Sequence, residues 1–122
     1  MVVPAPQPFA RANLTVYFPH DSTLLTPLQR QRLRDFWQTH SQKAGSLQIM
    51  GHADDTGNAT HNDSLAEQRA WAVVAWLRPN LSDRHRLQIG GQGDRQPVHA
   101  DPAFNRRVEL TFVERLEPKA GN

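Results

Sequence analysis

The residues with the clearest chemical potential are two charged side chains, Asp54 and Arg69. Arg69 lies one helical turn after Leu65 and one turn before Val73, so a helix would place it on an apolar face. A buried guanidinium needs an anionic partner, because an unpaired buried charge is very costly. One interpretation is a structural ion pair with Asp54. The other is a binding site for a zwitterion, in which the carboxylate takes an ammonium group and the guanidinium grips a carboxylate.

The surroundings of Asp54 leave both interpretations open. Asp54 follows the predicted strand 47–52, where the chain enters a loop rich in Asp, Thr, Gly and Asn. Ligands of such sheets tend to bind beyond the strand ends, and the helix that follows offers free N–H donors to an anion. A loop aspartate also commonly hydrogen-bonds to its own backbone, and the spacing alone favours such a purely structural carboxylate.

A second pair of cationic residues, Arg106 and Arg107, follows Asn105 and precedes the last predicted strand. Alternation along a strand puts the two arginines on opposite faces, so one points towards the helix layer and the other to solvent. Structural and ligand-binding roles are both open for this pair.

Three other motifs favour enzymes or cofactors only weakly. Asp55-Thr56-Gly57 matches the triplet of aspartic proteases, but that mechanism needs two carboxylates sharing a proton on an all-β fold, whereas here an amphipathic helix follows. His52, Asp54 and His61 could hold a metal, yet they lack a tight helical pair of histidines. The cluster at 90–93 lacks the third glycine and the helix of a dinucleotide loop. We therefore expect no catalytic residue, no metal and no cofactor.

The helices and strands that position these residues are predicted from the spacing of apolar residues and from the residues that start and end each element. The segment Thr26-Pro27-Leu28-Gln29 predicts a helix start with a Thr26/Gln29 capping box, and that helix runs to about residue 43. A second helix is capped at one of residues 62–64 and ends before Pro79. Strands are predicted at 14–18, 47–52, 86–90 and 107–113. The order β-α-β-α-β-β and the half-polar strands predict an α+β fold, a two-layer sandwich whose mixed four-stranded sheet carries both helices on one face.

Composition bounds the possible classes of protein. The 122 residues suffice for one domain, and the absence of cysteine excludes disulfides, thiolate metal sites and cysteine nucleophiles within them. The formal charge of +2 is not gathered into a basic block, so we expect no nucleic-acid partner. We interpret residues 1–12 as a Pro-rich linker remnant, 13–113 as the domain and 114–122 as a polar tail. The apolar runs are too short to cross a membrane.

Several of these residues together resemble a known family. Gly51-His52-Ala53-Asp54, then Gly57, Asn62, Leu65, Arg69-Ala70, Val73 and Leu77, closed by Asn105-Arg106-Arg107-Val108-Glu109, are similar in type and spacing to the OmpA-like C-terminal domain. That family includes the peptidoglycan-associated lipoprotein and the flagellar stator protein MotB. The match runs over residues 14–113 and is far more specific than any single motif above.

The resemblance implies the same β-α-β-α-β-β sandwich and a non-enzymatic function. It implies non-covalent binding of peptidoglycan through the diaminopimelate of the stem peptide, whose free end carries an ammonium and a carboxylate on one carbon. Asp54 and Arg69 are the matched ligand residues. The supporting residues are Asn62, Thr56, Gly57, and Arg107 or Arg106.

The resemblance also implies a place in the cell. It predicts a periplasmic domain of a Gram-negative envelope protein that tethers a membrane-anchored system, with other subunits of an envelope complex as further partners. The membrane would be reached only through a segment outside this chain. Pro19, His20 and Ala53 depart from the family pattern, so the alternative is a structural or protein-interaction module of the same fold that has lost wall binding.

Overall fold

The computed structural model describes residues 9–115, whose helices and strands follow the predicted β-α-β-α-β-β order. The elements are β1 (Phe9–Tyr17), α1 (Pro27–His40), β2 (Gly45–His52), α2 (Ala59–Leu77), β3 (His85–Gly91) and β4 (Arg107–Arg115). Strand β1 begins before the predicted 14–18 and ends at Tyr17, and β4 continues past the predicted 107–113. Residues 9–12 of the predicted linker and 114–115 of the predicted tail therefore belong to strands, and the rest of both segments lies outside the described residues.

The strands form one mixed sheet in the order β1-β4-β2-β3. Strand β4 is antiparallel to both β1 and β2, while β2 and β3 are parallel and are connected through α2. The predicted α+β fold with a mixed four-stranded sheet is therefore confirmed. Alternate residues of the strands bury their apolar side chains against the helices, and the fully or nearly fully buried ones include Val16, Leu47, Ile49, Val108, Leu110 and Phe112.

Helix α1 begins at Pro27 and α2 ends before Pro79, as predicted, but the capping and the end of α1 and the start of α2 differ from the prediction. Thr26 precedes α1 but its side chain makes no capping hydrogen bond, because the Gln29 amide oxygen accepts from the backbone N–H of Tyr17 and from Arg32 instead. The predicted capping box is therefore wrong, and α1 ends at His40 rather than near residue 43. Helix α2 begins at Ala59, before the predicted caps, because the Asn58 side chain accepts from two backbone N–H groups of the first turn.

The end of β2 is held close to α2 by a glycine. A Cβ at Gly51 would overlap the backbone carbonyl of Ala66, so only glycine lets this strand lie so near the helix. This contact fixes the distance between the loop after β2 and the buried face of α2. Within residues 9–115, neither helix is long and apolar enough to cross a bilayer.

Candidate ligand-binding site

A cavity of about 250 Å³ opens where β2 ends. Its walls come from the loop between β1 and α1, the loop after β2 and the first three turns of α2. The lining residues are mostly polar or charged: His20, Asp21, Asp54, Thr56, Gly57, His61, Asn62, Leu65 and Arg69. The cavity thus brings together five of the seven residues predicted as ligand contacts or supports.

Asp54 is a buried carboxylate held from two sides. Its side chain is 7% exposed. One oxygen, Oδ1, accepts hydrogen bonds from the backbone N–H (3.0 Å) and the hydroxyl of Thr56, and Oδ2 accepts from Arg106 Nη1 at 3.2 Å. Burial alone would raise the pKa of Asp54, but the hydrogen bonds from Thr56 and Arg106 outweigh it and hold the pKa below its ordinary value. The carboxylate is therefore ionised at neutral pH.

Arg69 is fully buried, with a relative exposure of 0%, yet it does not form an ion pair with Asp54. Its three nitrogens donate to three backbone carbonyls: Nε to Ser22 (2.9 Å), Nη1 to His52 (3.0 Å) and Nη2 to Pro19 (3.2 Å). Its guanidinium carbon also lies 5.5 Å from the centre of the Phe18 ring. Burial lowers the pKa of Arg69 to about 10, against the opposing effect of the Asp54 carboxylate, so the side chain stays charged at neutral pH.

The two neighbouring arginines lie on opposite faces, as strand alternation predicts, but the prediction that one of them points to solvent is wrong, because Arg107 is buried and the Arg106 side chain is only 19% exposed. Arg106 turns to the cavity side, where Nε donates to the Phe18 carbonyl at 3.1 Å and Nη1 donates to Asp54. Arg107 turns to the opposite face of the sheet, where Nε donates to Glu109 Oε2 at 3.0 Å and Nη2 donates to the Gln96 carbonyl at 3.0 Å. Of the two predicted supports, the structure therefore brings only Arg106 to the Asp54 carboxylate; Arg107 does not reach the cavity.

The remaining predicted supports shape the walls. Asn62 is buried, and its amide donates to Asp94 Oδ2 at 3.1 Å, which ties the start of α2 to the loop after β3. Gly57 has a φ of +83°, a left-handed conformation that glycine adopts without strain, and it ends the short turn that Thr56 makes around Asp54. The predicted free N–H groups of the α2 terminus are partly taken, since Asn58 accepts from Thr60 and His61.

Besides the apolar Leu65, three polar lining residues have no counterpart among the predicted contacts: His20, Asp21 and His61. His61 Nε2 lies 2.7 Å from Asp21 Oδ1, and His20 Nδ1 lies 3.9 Å from Asp54 Oδ2. The contact with His61, together with the charges of His20 and Arg69, lowers the pKa of Asp21. Asp21 and His61 are distant in sequence, and no periodic pattern links them, so only the fold reveals the pair.

The residues considered for a metal site do not converge. His52 lies on the outer face of the sheet, buried beside Arg107, with Nε2 3.2 Å from Glu109 Oε1. Burial and the charge of Arg107 lower the pKa of His52, while Glu109 opposes them. Asp54 and His61 lie at the cavity instead. Within the part of the chain that the structure describes, no group of three or more His, Cys, Asp or Glu side chains could hold a metal ion.

Comparison with known proteins assigns the chain to a family. The model of the OmpA family matches residues 17–109, which include both helices, β2, β3 and every lining residue of the cavity. The chain belongs to the OmpA family. This OmpA-family domain is 26% identical over 126 residues to outer membrane protein A of Citrobacter freundii, covering 97% of the chain and 53% of that protein.

A second relative is the peptidoglycan-associated lipoprotein of Pseudomonas aeruginosa. The identity is 33% over 106 residues, covering 82% of this chain and 62% of the lipoprotein. Among solved structures, the peptidoglycan-associated lipoprotein from Burkholderia pseudomallei superposes with a TM-score of 0.68 at 27% identity, covering 80% of this chain and 88% of that one. The chain spans about half the length of outer membrane protein A of Citrobacter freundii and of Bordetella avium, since the alignments cover 53% and 55% of those two proteins.

Proposed function

We propose that this OmpA-family domain binds peptidoglycan non-covalently, through the free end of diaminopimelate in the stem peptide. The observation that carries the proposal is one cavity lined by an ionised carboxylate, Asp54, and a charged guanidinium, Arg69. The free end of diaminopimelate carries an ammonium and a carboxylate on one carbon, and the cavity offers the opposite charge to each. Two relatives are named for their association with peptidoglycan, which supports the wall as the source of this ligand.

Asp54 is suited to take the ammonium group. Thr56 and Arg106 fix both of its oxygens, so the carboxylate does not have to reorganise when a cation approaches. Those contacts also keep it ionised, since they lower its pKa despite burial. A carboxylate can accept about four hydrogen bonds, so Oδ2 retains capacity for the ligand beside Arg106.

Arg69 is suited to take the carboxylate, but it also has a structural role. A guanidinium carries five N–H groups, and three of them serve the carbonyls of Pro19, Ser22 and His52. We assign the second N–H of each Nη atom to the ligand carboxylate. The three carbonyls hold the guanidinium plane in a fixed orientation, which reduces the entropy lost on binding.

The supports then follow from their positions. Arg106 and Thr56 hold Asp54, Gly57 allows the turn that Thr56 makes, and Asn62 anchors the wall of the cavity through Asp94. Arg107, on the other face, supports the sheet and the loop after β3 rather than the ligand. In this proposal the domain performs no catalysis. It would tether an envelope protein or complex to the cell wall from the periplasm, with any membrane anchor supplied by another segment.

One observation favours a second function, a structural or protein-interaction module without wall binding. Arg69 is fully buried and its nitrogens already serve three carbonyls, and Pro19 contributes a carbonyl to that set while lacking an N–H that a ligand could use. In this alternative Arg69 only stabilises the β1–α1 loop through these hydrogen bonds, and the cavity does not admit a ligand.

A sedimentation assay with purified sacculi separates the two functions. The parent domain should co-sediment with sacculi, and Asp54→Asn should weaken the affinity for sacculi at least tenfold, because a buried carboxylate facing an ammonium contributes more than ~1.4 kcal/mol. Asp83→Asn is the matched control, since Asp83 is exposed and lies outside the cavity. Equal binding of the parent and Asp54→Asn would contradict the proposed site, and no binding of the parent would favour the interaction module.

A further inference from the structure

The mouth of the cavity carries two histidines, and each faces a carboxylate on another element. His61, in the first turn of α2, pairs with Asp21 of the β1–α1 loop at 2.7 Å. His20 of that loop lies 3.9 Å from Asp54, beyond the end of β2. Both histidine side chains are exposed, 68% for His20 and 57% for His61, so each can exchange protons with solvent. Neither histidine is needed to hold Asp54 or Arg69 in place, because Thr56, Arg106 and the backbone carbonyls do so.

The charges around the two histidines balance when both rings are neutral. The charged and titratable groups facing the cavity are His20 and Asp21 on the β1–α1 loop, Asp54 after β2, His61 and Arg69 on α2, and Arg106 before β4. Two carboxylates then oppose two guanidiniums, which suits a zwitterion with no net charge. If both histidines take a proton, the same set carries two surplus positive charges and repels the ammonium end of the ligand.

The two pairs also lie where a ligand must enter. Arg69 lines the same cavity as His20, Asp21 and His61 but has no exposed surface of its own, so a ligand carboxylate can reach it only if its surroundings shift. The Asp21–His61 contact joins the β1–α1 loop to α2 across that mouth. Asp21 adopts a left-handed conformation, with φ at +49°, which is uncommon for a residue other than glycine and holds its carboxylate in this position.

From this geometry we infer that His20 and His61 make ligand binding dependent on pH, opening the site to the zwitterion when neutral and closing it when protonated. The inference rests on the proposed function. Protonated His20 would sit against Asp54 in the place of the ligand ammonium. Protonated His61 would strengthen its contact with Asp21 from a hydrogen bond to an ion pair and hold the loop against α2. Binding should therefore weaken as the medium becomes acidic.

The test is calorimetric titration of the domain with meso-diaminopimelate alone at about pH 8 and about pH 5.5, on either side of the range in which histidines titrate. If binding requires one histidine to be neutral, the affinity falls about tenfold for each unit by which the pH lies below the pKa of that histidine. The parent should thus bind at least about tenfold more weakly in acid. His20→Gln and His61→Gln should each reduce this ratio, and the double variant should bring it close to one.

This inference and the proposed function have different control variants and are contradicted by different results. His99→Gln should keep the parental ratio, because His99 does not line the cavity. A parent that binds equally at the two pH values, or a double variant that keeps the parental ratio, would overturn this inference and leave the proposed function standing. A parent that binds at neither pH would overturn the proposed function and this inference with it.

Discussion

Replacement of Arg69 by methionine should strongly destabilise the domain, whatever it does to ligand binding. Methionine keeps much of the apolar volume of the arginine stem but supplies no donor. The carbonyls of Pro19, Ser22 and His52 then lose the hydrogen bonds that they accept in the parent. Because these carbonyls belong to two separate segments, the substitution removes the hydrogen bonds through which Arg69 joins the β1–α1 loop to the end of β2.

The size of the effect follows from those three bonds. Hydrogen bonds from a charged donor contribute about 1.5–3 kcal/mol each. The bond to His52 is buried, whereas those to Pro19 and Ser22 are only partly buried, and water can partly replace the arginine there. Relief from burying the charge offsets a further part of the loss. We therefore expect the free energy of unfolding to fall by about 4 kcal/mol, a large share of the roughly 5–15 kcal/mol typical of a domain.

Urea unfolding followed by circular dichroism measures this loss. Arg30→Met is the matched control, since Arg30 is exposed on α1, and it should change the free energy of unfolding by no more than about 0.5 kcal/mol. Arg69→Lys should fall between the two, because a lysine keeps the charge but cannot reach three diverging carbonyls. An Arg69→Met domain within about 1 kcal/mol of the parent would refute the role assigned to these hydrogen bonds. The same reasoning makes Asp54 the better residue for binding tests.

Three further predictions concern the frame of the site. Gly51→Ala should lower the free energy of unfolding by about 3 kcal/mol, because the new methyl group would overlap the Ala66 carbonyl. In thermal unfolding, the midpoint of the variant should lie more than about 10 °C below that of the parent. Asn58→Ala should cost about 1 kcal/mol in a urea titration, since α2 loses its cap; an unchanged midpoint would contradict that role. Because the folded state lowers the pKa of His52, its contribution to stability is complete above the ordinary histidine pKa near 6.5 and declines as the pH falls below it. Replacing His52 by glutamine should therefore flatten the loss of stability between about pH 7 and pH 5, and an unchanged slope would contradict the assignment.

Local patterns in the sequence were sufficient to predict the elements and their order. The period-two alternation of β4 and the apolar face of α2 are dictated by burial, and the structure buries the expected residues Val108, Leu110 and Val73. Helix termini were harder to predict, because several residues competed for each cap. Gln29 could complete a capping box by its spacing, but the backbone of β1 offered it a tertiary partner instead.

Five of the seven residues predicted for the site line one cavity, but their hydrogen-bond partners could not be predicted. The apolar neighbours of Arg69 show that its side chain is buried, but they do not show that backbone carbonyls of a distant loop would receive its hydrogen bonds. Likewise Arg106 and Arg107 are equivalent in the sequence, and only the register of β4 against β2 decides which one reaches Asp54. Spacing fixes which face a residue occupies, whereas partners from other segments depend on how the segments pack.

The pairing of the two histidines at the mouth of the cavity with carboxylates could not be predicted from sequence patterns. His20 lies in a loop without periodicity, and His61 lies in the first turn of α2, which the predicted caps at 62–64 placed before the helix. Their carboxylate partners are brought to them by the crossing of the β1–α1 loop over the end of β2. Such pairs become visible only when the topology is known.

The central claim, that the cavity binds the free end of diaminopimelate, is tested most directly by an NMR titration of the ¹⁵N-labelled domain with meso-diaminopimelate at about pH 8. Cadaverine serves as the matched ligand, since it is diaminopimelate without its carboxylates and keeps only the ammonium groups. We predict saturable shifts of the Thr56 and Gly57 amides and of the Arg69 Nε–H with diaminopimelate, and much weaker shifts with cadaverine. Shifts confined to other surfaces, or equal responses to both molecules, would contradict the account.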